Sequence, residues 1–240
     1  MQKKYKRILL KVSGEYLGGE KGYGFDASTV NAFAQLICKA HDMGVETGIV
    51  VGGGNFFRGA RSVNMEMDRV AADQMGMLST VINALCLREA IEKHGKKCRV
   101  MSAVKMESVA ETFVKRNAVR CLEEGEIVIF GGGTGNPYFT TDTAAVLRAM
   151  EINADVVIKG TMVDGVYDKD PHQFPDAKKW DTLNYDLALE KDLKVMDATA
   201  IAFCRDTKLP IIVLDIREES NLIKTLSGEI KGTIVHSGTN

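Results

Sequence analysis

Short runs rich in β-branched residues alternate along this 240-residue chain with longer segments of helical period, the signature of a parallel sheet covered by helices on both faces. The runs expected as strands are Arg7–Val12, Glu46–Val51, Arg99–Ser102, Ile127–Phe130, Asp155–Lys159 and Ile211–Asp215. Between the first two, Val30, Phe33, Ile37 and Ala40 recur at three and four residues and Gly44 follows, which reads as an amphipathic helix with a glycine C-cap. Asp68–Lys93 reads as a long helix ended by Gly95, with Met77, Leu78, Val81, Ile82 and Leu85 turned to the core. Asp197 stands where an N-cap belongs, ahead of a helix running to about Thr207 and stopped before Pro210. No repeat or evident linker breaks the pattern, and Gly160–Leu183 reads as a boundary or a long functional loop. The expectation is one continuous α/β domain over residues 1–240 with two lobes, approximately 1–155 and 156–240.

Composition narrows the function classes. Apolar residues make up 45% and the formal charge is −1, so no broad electropositive surface for nucleic acid or anionic lipid is expected, and any anion site must be local. The five cysteines, Cys38, Cys86, Cys98, Cys121 and Cys204, form no C-x-x-C pair and fall mostly in apolar stretches, as buried thiols in a reducing cytosol do. The apolar run Ile8–Leu10 is too short for a signal-peptide core, and no stretch approaches the ~20 apolar residues of a membrane span, so a cytoplasmic location is expected.

Three strands run directly into glycine-rich turns: Ser13–Gly19, Gly52–Asn55 and Gly131–Asn136. Ligands of open α/β sheets bind at the carboxyl ends of strands, where glycine lets bare backbone N–H groups approach a phosphate. Any one of these runs is equally well a tight turn; three on one edge favour a site holding several phosphates. Gly14 to Gly19 has the P-loop spacing, but Glu20 stands where lysine is required. The Gly131 and Gly52 runs place Asn136 and Phe57 where a dinucleotide-binding turn needs its last glycine.

Moving a phosphoryl group between two phosphorylated molecules requires cations on the transferring group. Lys11 at the end of the first buried strand, Arg58 after the second loop and Lys159 at the end of the fifth strand are the candidates; Lys159 reads equally well as structural. Among carboxylates, Asp73 lies within the long helix, where a solvated helix face is the plain alternative. Asp142 and Asp197 both stand at helix starts, where capping explains them as readily as chemistry. His41, His94, His172 and His236 show no metal-ligand spacing, and no metal site or hydrolytic triad is expected.

The segments Tyr5–Glu15 (YKRILLKVSGE), Val51–Gly59 (VGGGNFFRG), Met67–Val70 with Asp73–Met77, Gly133–Asp142 (GTGNPYFTTD), Val163–Pro171 (VDGVYDKDP) and Leu193–Asp197 (LKVMD) together resemble the bacterial nucleotide-phosphorylating branch of the amino acid kinase family across essentially the whole chain. The resemblance implies a three-layer α/β/α sandwich of the carbamate kinase-like type with a mainly parallel sheet, a homohexamer, Mg²⁺-bound ATP as donor and UMP as acceptor. By motif position it implies an ATP side of Lys11, Val12, Ser13, Gly14, Gly54 and Arg58, with Thr161, Tyr167 and Asp170 at the adenosine. It implies a UMP side of Gly53, Asp73, Thr134, Gly135, Asn136, Pro137, Tyr138, Phe139, Thr140 and Thr141, and it makes Lys11, Arg58, Asp142 and Asp197 the catalytic set. Gly19, Glu20, Lys21, Gly22, Tyr23 and Gly24 resemble the segment tied to activation by GTP, with UTP as an inhibitor. Kinases of the same family that act on a carboxylate or carbamate, and a nucleotide-binding sensor without turnover, are the alternatives.

Overall fold

The computed structural model describes residues 3–57 and 66–238. In chain order these form β1 (Arg7–Val12), α1 (Gly14–Leu17), α2 (Ala27–Asp42), β2 (Glu46–Val51), α3 (Arg69–Lys93), β3 (Cys98–Ser102), β4 (Glu111–Thr112), α4 (Lys115–Glu123), β5 (Ile127–Gly131) and α5 (Thr141–Glu151). There follow β6 (Val156–Thr161), β7 (Val166–Tyr167), β8 (Lys179–Trp180), β9 (Thr182–Asn184), α6 (Tyr185–Glu190), α7 (Ala198–Thr207), β10 (Ile211–Asp215), α8 (Glu219–Leu226) and β11 (Thr233–His236).

Nine strands make one sheet in the order β4-β3-β5-β2-β1-β6-β10-β11-β9, and every neighbouring pair is parallel except β10 with β11. All six residues of β1 are buried, as a central strand covered on both faces demands. Ile8, Leu10 and Val12 enter the apolar layer beneath α2, α3 and α8, while Leu9 enters the opposite layer beneath α4, α5, α6 and α7. Residue 11 therefore shares the face of Leu9.

The expected strands all form, with β3 starting one residue earlier than its pattern suggests and β6 shifted to Val156–Thr161. Asp155, expected to open that strand, instead accepts from the Lys6 and Arg7 N–H groups (2.7 and 2.9 Å) and staples its base to β1. Gly160–Leu183 is not bare loop. It holds the β7–β8 hairpin and the start of β9, elements of two or three residues that give no periodic signal. On α3, Asp68 is the N-cap, accepting from the Ala71 N–H (3.1 Å), and Met77 and Val81 are buried as expected. Leu78 and Ile82 are not in the core: they are about half exposed and share an open apolar face with Met75. α3 is long and apolar enough to cross a membrane by length and composition alone, but its Ala72, Val81, Ala84, Leu87 and Ile91 face is buried in this fold, against α2, β3 and β5 among others.

Candidate active site

The first two glycine turns are packed into one unit. A Cβ on Gly14 would stand 2.3 Å from the Gly52 carbonyl oxygen, and one on Gly53 would stand 2.7 Å from the Gly76 carbonyl on α3, so glycine at both positions lets the β1 and β2 turns lie on each other and on the helix. A buried pair of amides cements the contact. Asn83 Nδ2 donates to the Gly52 carbonyl (2.6 Å) and to Asn55 Oδ1 (2.7 Å), and Asn55 Nδ2 donates to Asn83 Oδ1 (3.0 Å) and to the Gly24 carbonyl (2.7 Å). The Gly24 N–H in turn donates to the Asn55 carbonyl (3.0 Å). Neither asparagine was given a role from the sequence, although Asn55 closes the second glycine turn and Asn83 is the one polar residue in the apolar run Val81–Leu85.

On the other face of the sheet, Lys11 and Lys159 are direct neighbours across the β1–β6 pairing. Both ammoniums meet one carboxylate. Asp142 Oδ1 lies 2.6 Å from Lys11 Nζ, and Asp142 Oδ2 accepts from Lys159 Nζ (3.0 Å), which also donates to the Val195 carbonyl (2.7 Å). Burial opposes ionisation of Asp142, but the two ammoniums outweigh it and hold its carboxyl below the usual range. Burial and the repulsion of Lys11 pull Lys159 down despite Asp142. Two cations sharing one carboxylate, with Asp197 as a further anion acting on Lys159, gather two ammoniums at the strand ends, an arrangement suited to a phosphoryl group.

Asp142 is not a cap. That task falls to Thr140, whose Oγ1 accepts from the Asp142 N–H (3.0 Å) and the Thr143 N–H (3.4 Å) at the start of α5, leaving the aspartate side chain to the lysines. Asp197 is a cap and more. It accepts from the Ala200 N–H (2.9 Å) at the start of α7, and also from the hydroxyls of Thr143 (2.9 Å) and Thr140, so it rivets the N-termini of α5 and α7 together.

The third glycine turn leads into a cavity of about 160 Å³ lined by Gly53, Asp73, Thr134, Asn136, Phe139 and Thr140 among others. Its loop is tied to distant elements. Thr80 Oγ1 accepts from the Gly132 N–H (2.8 Å), and Asp73 Oδ2 accepts from the Tyr138 N–H (2.7 Å). Asp73 is thus no solvated helix-face residue; its side chain is mostly covered.

Thr161 is the last residue of β6, and Tyr167 and Asp170 follow on the β7–β8 hairpin. Thr161 Oγ1 donates to the Val163 carbonyl (2.7 Å), the Tyr167 hydroxyl donates to Asp164 Oδ1 (2.7 Å), and Asp170 accepts from the His172 N–H (3.0 Å) and Gln173 Nε2 (3.0 Å). Among the described residues none of the three bonds directly to the Lys11 cluster. Arg58 lies outside the described residues. Gly19 and Glu20 line a separate cavity of about 470 Å³ with Tyr16, Thr29, Met162 and Arg217 among others, beside α2. A further cavity of about 530 Å³ at the β3–β4 edge is larger than any of these, but its Arg99 is already paired with Glu126 (2.8 Å) and Glu111 (3.1 Å), away from the glycine turns.

Known proteins resemble the chain over the same frame. It is 53% identical over 234 residues to a uridylate kinase of Bacteroides thetaiotaomicron, covering 98% of this chain and 99% of that protein. Its fold superposes on the crystal structure of UMP kinase from Bacillus anthracis with a TM-score of 0.95 at 38% identity, covering 98% of this chain and 97% of the other. The UMP kinase of Ureaplasma parvum gives 0.91 at 36% identity, covering 99% and 100%. The sequence profile of the amino acid kinase family matches residues 6–215, which hold every strand of the sheet except β11 and the whole Lys11–Asp142–Lys159 cluster, and the chain belongs to that family.

Proposed function

We propose that this chain is a UMP kinase, transferring the γ-phosphate of ATP to UMP to give ADP and UDP, a step of pyrimidine nucleotide synthesis toward UTP and CTP. The observation that carries this is the buried Lys11–Asp142–Lys159 arrangement, two ammoniums oriented by one carboxylate at the carboxyl ends of β1 and β6. Phosphoryl transfer needs positioning and charge neutralisation rather than a covalent nucleophile. A phosphate oxygen of the acceptor attacks in line, the two lysines neutralise the transferring group, and the N-termini of α5 and α7 add their positive ends on the same side. The names of the relatives supply the substrate class.

In this reading the acceptor occupies the cavity of Gly53, Asp73 and Thr134–Thr141, and the donor lies against Lys11–Gly14, Gly54 and Arg58, with its adenosine toward Thr161, Tyr167 and Asp170. The two lobes are then an acceptor side, approximately 1–155, which also contributes the turns that meet the donor's phosphates, and a donor side, approximately 156–240. Mg²⁺ enters as part of the donor: this ion favours phosphate oxygens and water, and among the described residues no three His, Cys, Asp or Glu side chains gather to hold it. The residues at hand do not fit a protein-held ion, since Asp142 is committed to two lysines and Asp197 to two hydroxyls and a backbone N–H. A homohexamer is supported by the open apolar face of Met75, Leu78 and Ile82 on α3, which a second copy would cover. GTP activation through Gly19–Gly24 is supported by the bond of Gly24 to the Asn55–Asn83 pair, which reaches the phosphate turns. Inhibition by UTP and a cytoplasmic location complete the reading.

A coupled assay of ADP release with UMP, CMP, acetylglutamate or no acceptor tests it. Release is expected with UMP at far higher kcat/KM than with the others, because a site that hydrogen-bonds one base and sugar leaves buried groups unpaired with the wrong one. Equal rates for UMP and acetylglutamate would defeat the reading.

A further inference from the structure

Beside the acceptor cavity, one helical turn before its lining residue Asp73, stands Arg69, a member of the Met67–Val70 segment to which no role has been given. Arg69 is the first residue of α3, and its Nε donates to both oxygens of Asp73 (2.9 and 2.8 Å). Asp73 Oδ2 also accepts from the Tyr138 N–H (2.7 Å), and the Arg69 guanidinium lies 5.4 Å from the centre of the Tyr138 ring. Tyr138 has φ of 71°, a left-handed conformation that a residue with a Cβ disfavours, so something outside the loop must hold it there.

The plain explanation, a surface pair that props up the helix, fits badly. A cation on the first helical residue faces the positive end of the helix dipole, and the helpful i,i+4 order places the acid before the base, the reverse of Arg69 and Asp73. What the arrangement does accomplish is geometric. One guanidinium reaches both oxygens of a carboxylate through its Nε–H and covers the ring whose backbone that carboxylate also holds. An ionised carboxylate offers about four acceptor positions, so after the shared Arg69 Nε–H and the Tyr138 N–H it keeps about one, on Oδ1, for a sugar hydroxyl.

We propose that Arg69 is a positioning residue for the acceptor: through Asp73 and Tyr138 it presents the carboxylate to a ribose hydroxyl of a nucleoside monophosphate and sets the width of the cavity mouth. This rests on the reading of the Asp73–Thr141 cavity as the acceptor site. Arg69 itself does not touch the reacting atoms, so its loss acts on acceptor binding and sugar selection, and the donor side is indifferent to it.

Steady-state kinetics of the full-length wild type, Arg69→Gln and Arg69→Lys, with UMP and dUMP varied at saturating ATP and with ATP varied at saturating UMP, decide the matter. Arg69→Gln is expected to raise the KM for UMP about tenfold, to lower kcat by no more than about threefold and to leave the KM for ATP at the wild-type value. The preference for UMP over dUMP is expected to shrink by about the same factor, since a carboxylate that is no longer held selects the 2′-hydroxyl poorly. Arg69→Lys keeps the charge without the planar fork and is expected to recover part of the loss, with KM for UMP about threefold above wild type; if the glutamine variant does not fold, this variant alone decides. A KM for UMP and a UMP/dUMP ratio unchanged in the variants, or equal losses for both substrates accompanied by a lower Tm, would overturn the proposal and leave Arg69 a structural residue. A wild type that releases no ADP with UMP would overturn the acceptor reading itself, and this inference with it.

Discussion

The acceptor loop, Gly132–Thr141, and the donor-side segment, Thr161–Trp180, each follow the carboxyl end of a sheet strand, yet they are held in opposite ways. The acceptor loop is fastened by partners 52, 65 and 57 residues away: Thr80 at Gly132, Asp73 at Tyr138 and Asp197 at Thr140. The donor-side segment is fastened mainly to itself, through Tyr167 with Asp164, His172 and Gln173 with Asp170, Lys169 with Asp176 and Lys178 with Asp168, all within ten residues. Its ties to the rest of the fold are at the stem, where Ile216 bonds Thr161, Arg217 bonds Met162 and Val166 bonds Thr233. A loop fixed by distant elements keeps one shape only while those elements keep theirs; a locally bonded hairpin can shift as a unit and keep its own geometry. Selectivity is therefore expected to reside on the acceptor side and adaptability on the donor side.

The largest effect is expected where the two regions converge. Lys11→Ala removes a charge pair worth up to about 4 kcal/mol at an effective dielectric of 20, so kcat should fall by about 10²–10³ with the KM of neither substrate much changed in a folded protein. A loss confined to one KM would assign Lys11 to one region and break the symmetry of the comparison. Next come paired changes within each region. Asp73→Asn weakens both its tie to the loop and its acceptance of a sugar hydroxyl, and is expected to raise the KM for UMP about 10–100-fold without moving that for ATP. Tyr167→Phe, losing one local bond, is expected to raise the KM for ATP by only about threefold, as steady-state kinetics with each substrate varied will report.

A smaller effect concerns pH. Burial favours the neutral amine of Lys159, so its proton leaves below the ordinary lysine value of about 10.4, and kcat should begin to fall on the alkaline side beneath that pH. Lys159→Arg, which stays charged, should move that limb upward in a pH–kcat profile. An unmoved limb would show that another group sets it. The smallest effect is expected on the hairpin surface, where Lys169→Ala removes a pair whose aspartate is largely exposed; the thermal midpoint should stay within about 1 °C.

Much of this frame was legible in the sequence. The six main strands, the helix cap at Asp197 and the glycine turns are local signals and lie within about two residues of where they were expected, while Asp68, expected as the first residue of the long helix, is its cap. Among the site residues, Lys11 was legible because a lysine on a fully buried strand needs a partner. What was not legible depends on distance. Nothing in the order of residues says that Thr140, not Asp142, caps α5, since both are good caps two positions apart and only the lysines across the sheet decide between them. Leu78 and Ile82 fit a helical stripe as well as Met77 and Val81 do, but the covered face of α3 is narrower than its apolar face. The short strands β7, β8 and β9 exist through pairing and leave no period behind.

The amide pair of Asn55 and Asn83 bears on how such a chain can change over generations. Each side chain gives a hydrogen to the other and takes one back, and each gives its second hydrogen to a backbone carbonyl, Gly24 or Gly52. Aspartate at either position would face a carbonyl with an acceptor, leucine would strand the partner's amide in a dry interior, and a larger residue would press on the turn at Gly14, where even a Cβ finds no room. No single substitution leads away from the pair without loss, and a simultaneous change would have to repack two turns and a helix together. The junction of the phosphate turns is thus a place where drift is halted.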